Sequence, residues 1–385
     1  MLGAQIERYE GREQSFIKHE FLTQYLQAAA YKTLQGRSAT FNFVDAFAGP
    51  WQVSDENFSD ASFNQALRTL DAVKSDLETR GVFGLKIRFC FCERRPEAVA
   101  RLREYALKNS EFIIHVFEGP FEDNLEQIAF VCNDGFTFTF IDPTGWNIRS
   151  EPVLDYLKKM NGEFLINFMS EHVNRHAEYD QVSASFGRFL ADPDWKKDFD
   201  ALPSQWSNEE RVLHLLRKKI KGFGAATYLP HMPILKPRQE RIKMRLLLGT
   251  HSSKGVEVFR DVHSKVELAE FQTRSAIAES NTGQMGLFTR ADESAMLQAA
   301  HGIGSDGVKR RARATVLNQL AQGTLSFQRL ATAVMEECPM RLTHTKDLLN
   351  SMKLSGEVSF ELVGKEKKPQ PRTMISATYT KACGI

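Results

Sequence analysis

The chain has 385 residues, enough for two or three domains, and its 42% hydrophobic and 25% charged residues suit a globular protein with a sizeable core. Its 50 Lys and Arg against 48 Asp and Glu leave a formal net charge of +2, so no overall basic field argues for nucleic acid and local clusters must carry that case. Cys90, Cys92, Cys132, Cys338 and Cys383 form no C-x-x-C pair and no zinc spacing with histidines, no charged-then-apolar leader opens the chain, and no apolar stretch is long enough to span a bilayer; the expectation is a metal-free cytoplasmic protein.

Residues 14–35 predict a helix with Phe16, Phe21, Leu22, Tyr25 and Leu26 on one side. Strand-length apolar runs then alternate with helical patterns. The runs cover 41–47, 86–93, 112–117, 136–142 and 164–169, and the helices 60–78, 96–108, 122–132 and 151–160. That alternation implies βαβ units and a mostly parallel sheet covered on both faces, an α/β Rossmann-like fold whose ligands sit at the carboxyl ends of the strands. Residues 172–225 predict a helical insertion that ends in a basic helix carrying Arg217, Lys218, Lys219 and Lys221. The segments 225–235 and 243–250 predict a hairpin turning at Pro237-Arg238, an antiparallel pair at the sheet edge. Residues 269–307, rich in Ser, Thr, Gly and Gln, read as a linker after a first domain of 1–268. From 308 a basic helix with Lys309, Arg310, Arg311 and Arg313, two further helices, a Gly-containing turn and a short strand predict a winged-helix-like domain over 308–385.

Candidate site residues lie just past the strands. Asp45 ends the first, and the turn Phe47-Ala48-Gly49 offers the small residues that let backbone approach a nucleotide-like ligand. The turn is not GxGxxG, which disfavours a dinucleotide. Glu93 ends the second strand, where a carboxylate can accept ribose hydroxyls; alone it reads as an acid favoured at a helix start, and beside the first loop as a ribose acceptor. After the third strand, Asp123 or Asn124 can take an adenine amino group and Phe121 can stack on the ring, although Asp123 also suits a helix cap. Asp142-Pro143 follows the fourth strand, with Trp146 three residues further on. Amino-directed nucleic-acid methyltransferases carry Asp/Asn-Pro-Pro-aromatic here, the acid holding the target amino group and the aromatic stacking on the flipped base. In this chain the second proline and the adjacent aromatic are missing, and Trp146 is the candidate stacking residue, with core packing as its other reading. Asn167 reads as a satisfied core amide; Lys18 and His19 sit on a helix that can reach the cleft.

Together, Lys18-His-Glu-x-Leu, Phe43-Val-Asp-Ala-Phe-Ala-Gly-Pro, Phe91-Cys-Glu, Phe140-Ile-Asp-Pro-Thr-Gly and Leu247-Leu-Gly-Thr-His-Ser-Ser-Lys-Gly resemble the three-Cys-motif partner protein family (TcmP) over residues 15–265. The resemblance implies a fold of the S-adenosylmethionine (SAM) methyltransferase type, a radical-SAM-like partner that holds the three cysteines, and a place on mobile or defence-related loci. The third-strand segment departs from the pattern, reading Gly119-Pro-Phe-Glu-Asp where Gly-Asp is more usual.

Two functions follow. One is a SAM-dependent methyltransferase acting on a DNA or RNA base, with Asp45, Phe47, Ala48, Gly49, Glu93 and Asp123 at the cofactor and Asp142, Pro143 and Trp146 at the acceptor. The other is a non-catalytic Rossmann-like partner of the three-Cys protein with a DNA-binding tail. Within the linker, Gln284-Met285-Gly286-Leu287-Phe288 resembles a peptide that docks on the replication sliding clamp through Gln284, Leu287 and Phe288.

Overall fold

The computed structural model describes residues 9, 11–36, 38–49, 58–143, 145, 148–176, 183–282 and 290–378. They fall into two compact units, Met1–His251 and Ser252–Ile385.

The first unit opens with helix α1 (Glu13–Leu34), followed by β1 (Thr40–Asp45), α2 (Ser62–Thr79), β2 (Lys86–Glu93), α3 (Pro96–Lys108), β3 (Ile113–Glu118), α4 (Leu125–Val131), β4 (Phe136–Ile141), α5 (Ser150–Lys159) and β5 (Gly162–Phe168). Helices α6 (Ser170–His176), α7 (Ser183–Leu190), α8 (Trp195–Asp200) and α9 (Asn208–Phe223) make the expected insertion, and β6 (His231–Lys236) and β7 (Gln239–Gly249) form the expected hairpin. Seven strands make one sheet in the order β3-β2-β1-β4-β5-β7-β6. The first five named run parallel, and β7 pairs antiparallel with both β5 and β6. This is a mostly parallel, Rossmann-like sheet finished by an antiparallel hairpin.

Burial explains the strand composition. All six residues of β1 are buried, so both its faces need apolar or hydrogen-bonded side chains. Phe43 stacks on Phe138 of β4 with ring centroids 6.4 Å apart. Asn42, fully buried, donates to the Asp134 carbonyl at 2.7 Å. In the insertion, Trp195 is buried between Phe186 and Phe199. Helix α1 packs on α2 and reaches β1 and β6, which brings its first turns to the carboxyl edge of the sheet.

The second unit corrects two expectations. The division does not fall at 268, and 269–307 is not an extended linker: α10 runs from Ser253 to Thr282 and α11 from Arg290 to His301. The cause is an apolar stripe, Val256, Phe259, Val262 and Val266, buried at helical spacing and anchoring a helix whose later residues are polar. After α11 come α12 (Asp306–Leu320), β8 (Leu325–Ser326), α13 (Phe327–Glu337), α14 (Leu342–Leu354), β9 (Val358–Ser359) and β10 (Met374–Ala377), with β10 central in a three-stranded sheet. Arg260, 1% exposed, donates to the Met335 and Glu336 carbonyls at 2.6 and 3.0 Å and so closes the carboxyl end of α13. Gln284, Leu287 and Phe288 lie outside the described residues. Among the described residues, no helix is long and apolar enough to cross a membrane.

Candidate functional site

Strand β1 has β2 on one side and β4 on the other, so the chain's crossovers leave it in opposite directions and a crevice opens at the strands' carboxyl ends. Asp45 is completely buried there. Its Oδ1 accepts the Phe47 backbone N–H at 3.1 Å and its Oδ2 the Ser62 hydroxyl at 2.7 Å. Burial raises its pKa to about 7, against the pull of the Ser62 and Phe47 bonds. Asp45 therefore ties the loop to the first residue of α2. The loop is stitched on both sides, the Ala46 N–H to the Phe140 carbonyl and the Ala48 N–H to the Cys92 carbonyl, each at 2.9 Å. Ala46 and Ala48 are buried in this weave and Gly49 follows, partly exposed.

Beside the loop is a cavity of about 480 Å³ whose walls include Ala46, Phe47, Glu93, Gly119, Phe121 and Pro143. Glu93 is 5% exposed. Its Oε1 accepts the Arg95 backbone N–H at 2.8 Å, and no described residue bonds Oε2. Asp123 does not join this wall. A short 3₁₀ turn, Phe121–Asp123, turns successive side chains by a third of a circle, so Phe121 faces inward while Asp123 faces solvent and pairs with Arg149. Asn124 donates its amide NH₂ to the Glu118 and Pro120 carbonyls, at 3.2 and 2.9 Å. The cavity also takes in Arg94, Arg149, His172 and Arg188, which the strand-end pattern does not mark because they come from loops and from the insertion.

Next to Pro143, Asp142 joins three elements. Lys18 of α1 donates Nζ–H to Oδ2, and Asn167 of β5 donates Nδ2–H to Oδ1 at 2.6 Å. Burial alone would raise the Asp142 pKa, but the Lys18 ammonium and the bonds from Lys18 and Asn167 outweigh it and hold the carboxyl below the usual range. Asn167 is thus not an ordinary core amide: it is 2% exposed and its Oδ1 has no hydrogen-bond partner among the described residues. His19 is a buried neutral imidazole, its pKa lowered to about 3 by burial and by the adjacent Lys18 charge. Its Nδ1 pairs with the Tyr9 hydroxyl at 3.0 Å. Trp146 lies outside the described residues. Among the described residues, no group of His, Cys, Asp and Glu could hold a metal ion.

No family model and no curated protein matches the chain. Among solved structures, it is similar to cofactor-bound Rv0187 from MTB, at 12% identity and a TM-score of 0.31, covering 61% of this chain and 80% of that one. It is also similar to the O-methyltransferase TomG from Streptomyces achromogenes, in complex with SAM, at 10% identity and a TM-score of 0.28, covering 60% and 79%. At these scores the fold rests on the chain's own strand order: a parallel Rossmann-like sheet closed by an antiparallel hairpin, its crevice built around Asp45, Glu93 and Asp142.

Proposed function

We propose that the protein binds SAM and transfers its methyl group to a base of DNA or RNA. The observation that carries the reading is the cavity beside the Phe47–Gly49 loop with the buried Glu93 carboxylate in its wall, one oxygen uncommitted among the described residues. A cofactor with a ribose needs an acceptor of this kind for its hydroxyls. Glu93 would hold the ribose, the Ala46–Gly49 backbone would approach the cofactor closely, and Phe121 would supply an apolar wall. When bound, SAM supplies an electrophilic methyl group. Asp142, at the adjoining strand end, orients the acceptor, and holding the two partners together accounts for most of the rate.

The nucleic-acid reading draws on the second unit. Over residues 306–378, twelve Lys and Arg stand against seven Asp and Glu, 12 − 7 = +5. The helix-strand-helix-helix-strand-strand order from α12 to β10 supports a winged-helix-like module. Free, buried Cys90, Cys92, Cys132 and Cys338 support a reducing, cytoplasmic setting.

The test is methyl transfer from labelled SAM to mixed DNA and RNA, with Asp142→Ala beside the wild type. The expected result is label in nucleic acid, lost in Asp142→Ala with SAM affinity kept. Equal loss of affinity and transfer would place Asp142 at the cofactor instead.

A partner role for the resembled three-Cys protein has its own support. Phe83, Leu107, Ile113 and Phe130 are exposed at the start of β2, the end of α3, the start of β3 and the end of α4. All four belong to the amino-terminal edge of the sheet, opposite the crevice, and exposed apolar groups gathered at one end suit a protein partner. Phe130→Ser with Leu107→Ser is expected to abolish co-purification with that partner while SAM binding persists; co-purification unchanged would end this role.

A further inference from the structure

The β6–β7 hairpin shows how a nucleic acid would be held beside the crevice, an inference that rests on the methyl-transfer reading above. Arg245 of β7 lies opposite Phe168, the last residue of β5, and the two strands run antiparallel. Residues 239–244 therefore continue past the carboxyl end of β5, on the side where the crevice opens. They carry a two-stranded ribbon roughly 20 Å beyond it, at ~3.3 Å per residue. The ribbon is basic: Lys236, Arg238, Arg241, Lys243 and Arg245 are set against one acid, Glu240.

Lys236, Lys243 and Arg245 fix the ribbon in place. Lys236 of β6 and Lys243 of β7 donate to the two oxygens of one buried carboxylate, Glu171, at 2.7 and 2.6 Å, and Arg245 pairs with Glu209 of α9. Glu171 belongs to α6, which packs on β7, and the next residue, His172, lines the cavity beside the Phe47–Gly49 loop. The brace thus ties the root of the ribbon to the cavity wall. Arg238, in the turn, and Arg241 remain: both are exposed, and neither has an ion pair among the described residues. Charge that only kept the sheet edge from pairing with another chain would lie along β6, the edge strand. There Pro233 already interrupts the row of donors and Lys236 is committed to Glu171, while the two arginines sit at the turn and on the inner strand.

Two guanidinium groups held in place beside a crevice match a polyanion. Guanidinium binds phosphate by charge-assisted, bidentate bonds, and a braced ribbon has little motion to lose when the phosphates dock. We propose that Arg238 and Arg241 clamp the sugar-phosphate backbone of the nucleic-acid strand whose base enters the crevice, with the Glu171 brace fixing the distance from clamp to cavity.

Anisotropy titrations of the full chain with labelled single-stranded DNA and RNA oligonucleotides, over a range of salt, test this. Arg238→Gln with Arg241→Gln is expected to weaken binding about tenfold or more at low salt and to flatten its salt dependence by about two, roughly one for each phosphate released. SAM affinity, measured by calorimetry, is expected to hold. Arg238→Lys with Arg241→Lys keeps the charge and is expected to keep the wild-type salt dependence. Wild-type affinity in the Gln protein, or a Lys protein as weak as the Gln one, overturns the clamp and leaves methyl transfer standing. A wild-type chain that binds SAM but neither oligonucleotide ends the nucleic-acid reading, and the clamp with it.

Discussion

Asp45 and Asp142 end neighbouring strands, and their surroundings push their protons in opposite directions. Among the described residues Asp45 has no ion pair, and burial lifts its pKa from 3.8 to about 7. Asp142 has Lys18 and stays ionised. A carboxyl whose pKa is raised on folding adds stability that is complete below the unfolded value and disappears as the pH climbs through the folded one, here between about pH 4 and pH 7. Asp45→Asn keeps an acceptor for the Phe47 N–H and a partner for Ser62 without the charge. It is expected to melt above the wild type at pH 8, by at most about 4 kcal/mol of stability at ~1.36 kcal/mol per pH unit, with the gap closing toward pH 4. Melting curves from pH 4 to 8 check it; parallel pH profiles for the two proteins would contradict it. Asp45, Glu93 and Asp142 were legible because each follows a strand-length, mostly apolar run. Lys18 with Asn167 was not, because the Lys18–Asp142 bond joins residues 124 positions apart and only the fold puts them together. Asp123 misled because two residues of 3₁₀ rotation separate the Phe121 wall from the Asp123 surface, and no local pattern records that rotation.

At the scale of elements, β5 starts where β4 comes closest. A Cβ at Gly162 would overlap the Thr137 carbonyl oxygen, which belongs to the backbone of β4 and cannot swing aside. Gly162→Ala is expected to cost roughly 1–3 kcal/mol, the usual range for overpacking, by shifting β5 and the Asn167 it carries. Urea denaturation measures this, and an unchanged midpoint would show that the strands have room. β1, β2, β4 and β5 were readable as apolar runs because they are largely buried on both faces, and the hairpin from its flanking runs and proline turn. The long helix α10 was not, because beyond Val266 its composition is that of a linker and its helicity is inherited from the buried stripe before it.

At the scale of the whole molecule, the two basic clusters part company. Lys218 pairs with Asp198 at 2.8 Å and Lys219 with Asp192 at 3.0 Å, so that cluster is largely answered within its own unit. In the second unit Lys309 pairs with Asp306 and Arg313 with Glu357, leaving Arg310 and Arg311 exposed with no ion pair among the described residues. Arg310→Glu with Arg311→Glu is expected to weaken oligonucleotide binding about tenfold or more at low salt and to flatten its salt dependence by about two, roughly one for each phosphate no longer neutralised. Lys218→Glu with Lys219→Glu should change neither. Anisotropy titrations over a range of salt separate the two, and equal effects would move the binding surface. Methyl transfer itself stands or falls on the cofactor. Calorimetric titration of the full chain with SAM should show one site per chain, with affinity falling at least tenfold in Glu93→Ala as its charge-assisted bonds to the ribose disappear. No heat at millimolar SAM, or a Glu93→Ala protein that binds as tightly as the wild type, would contradict the account.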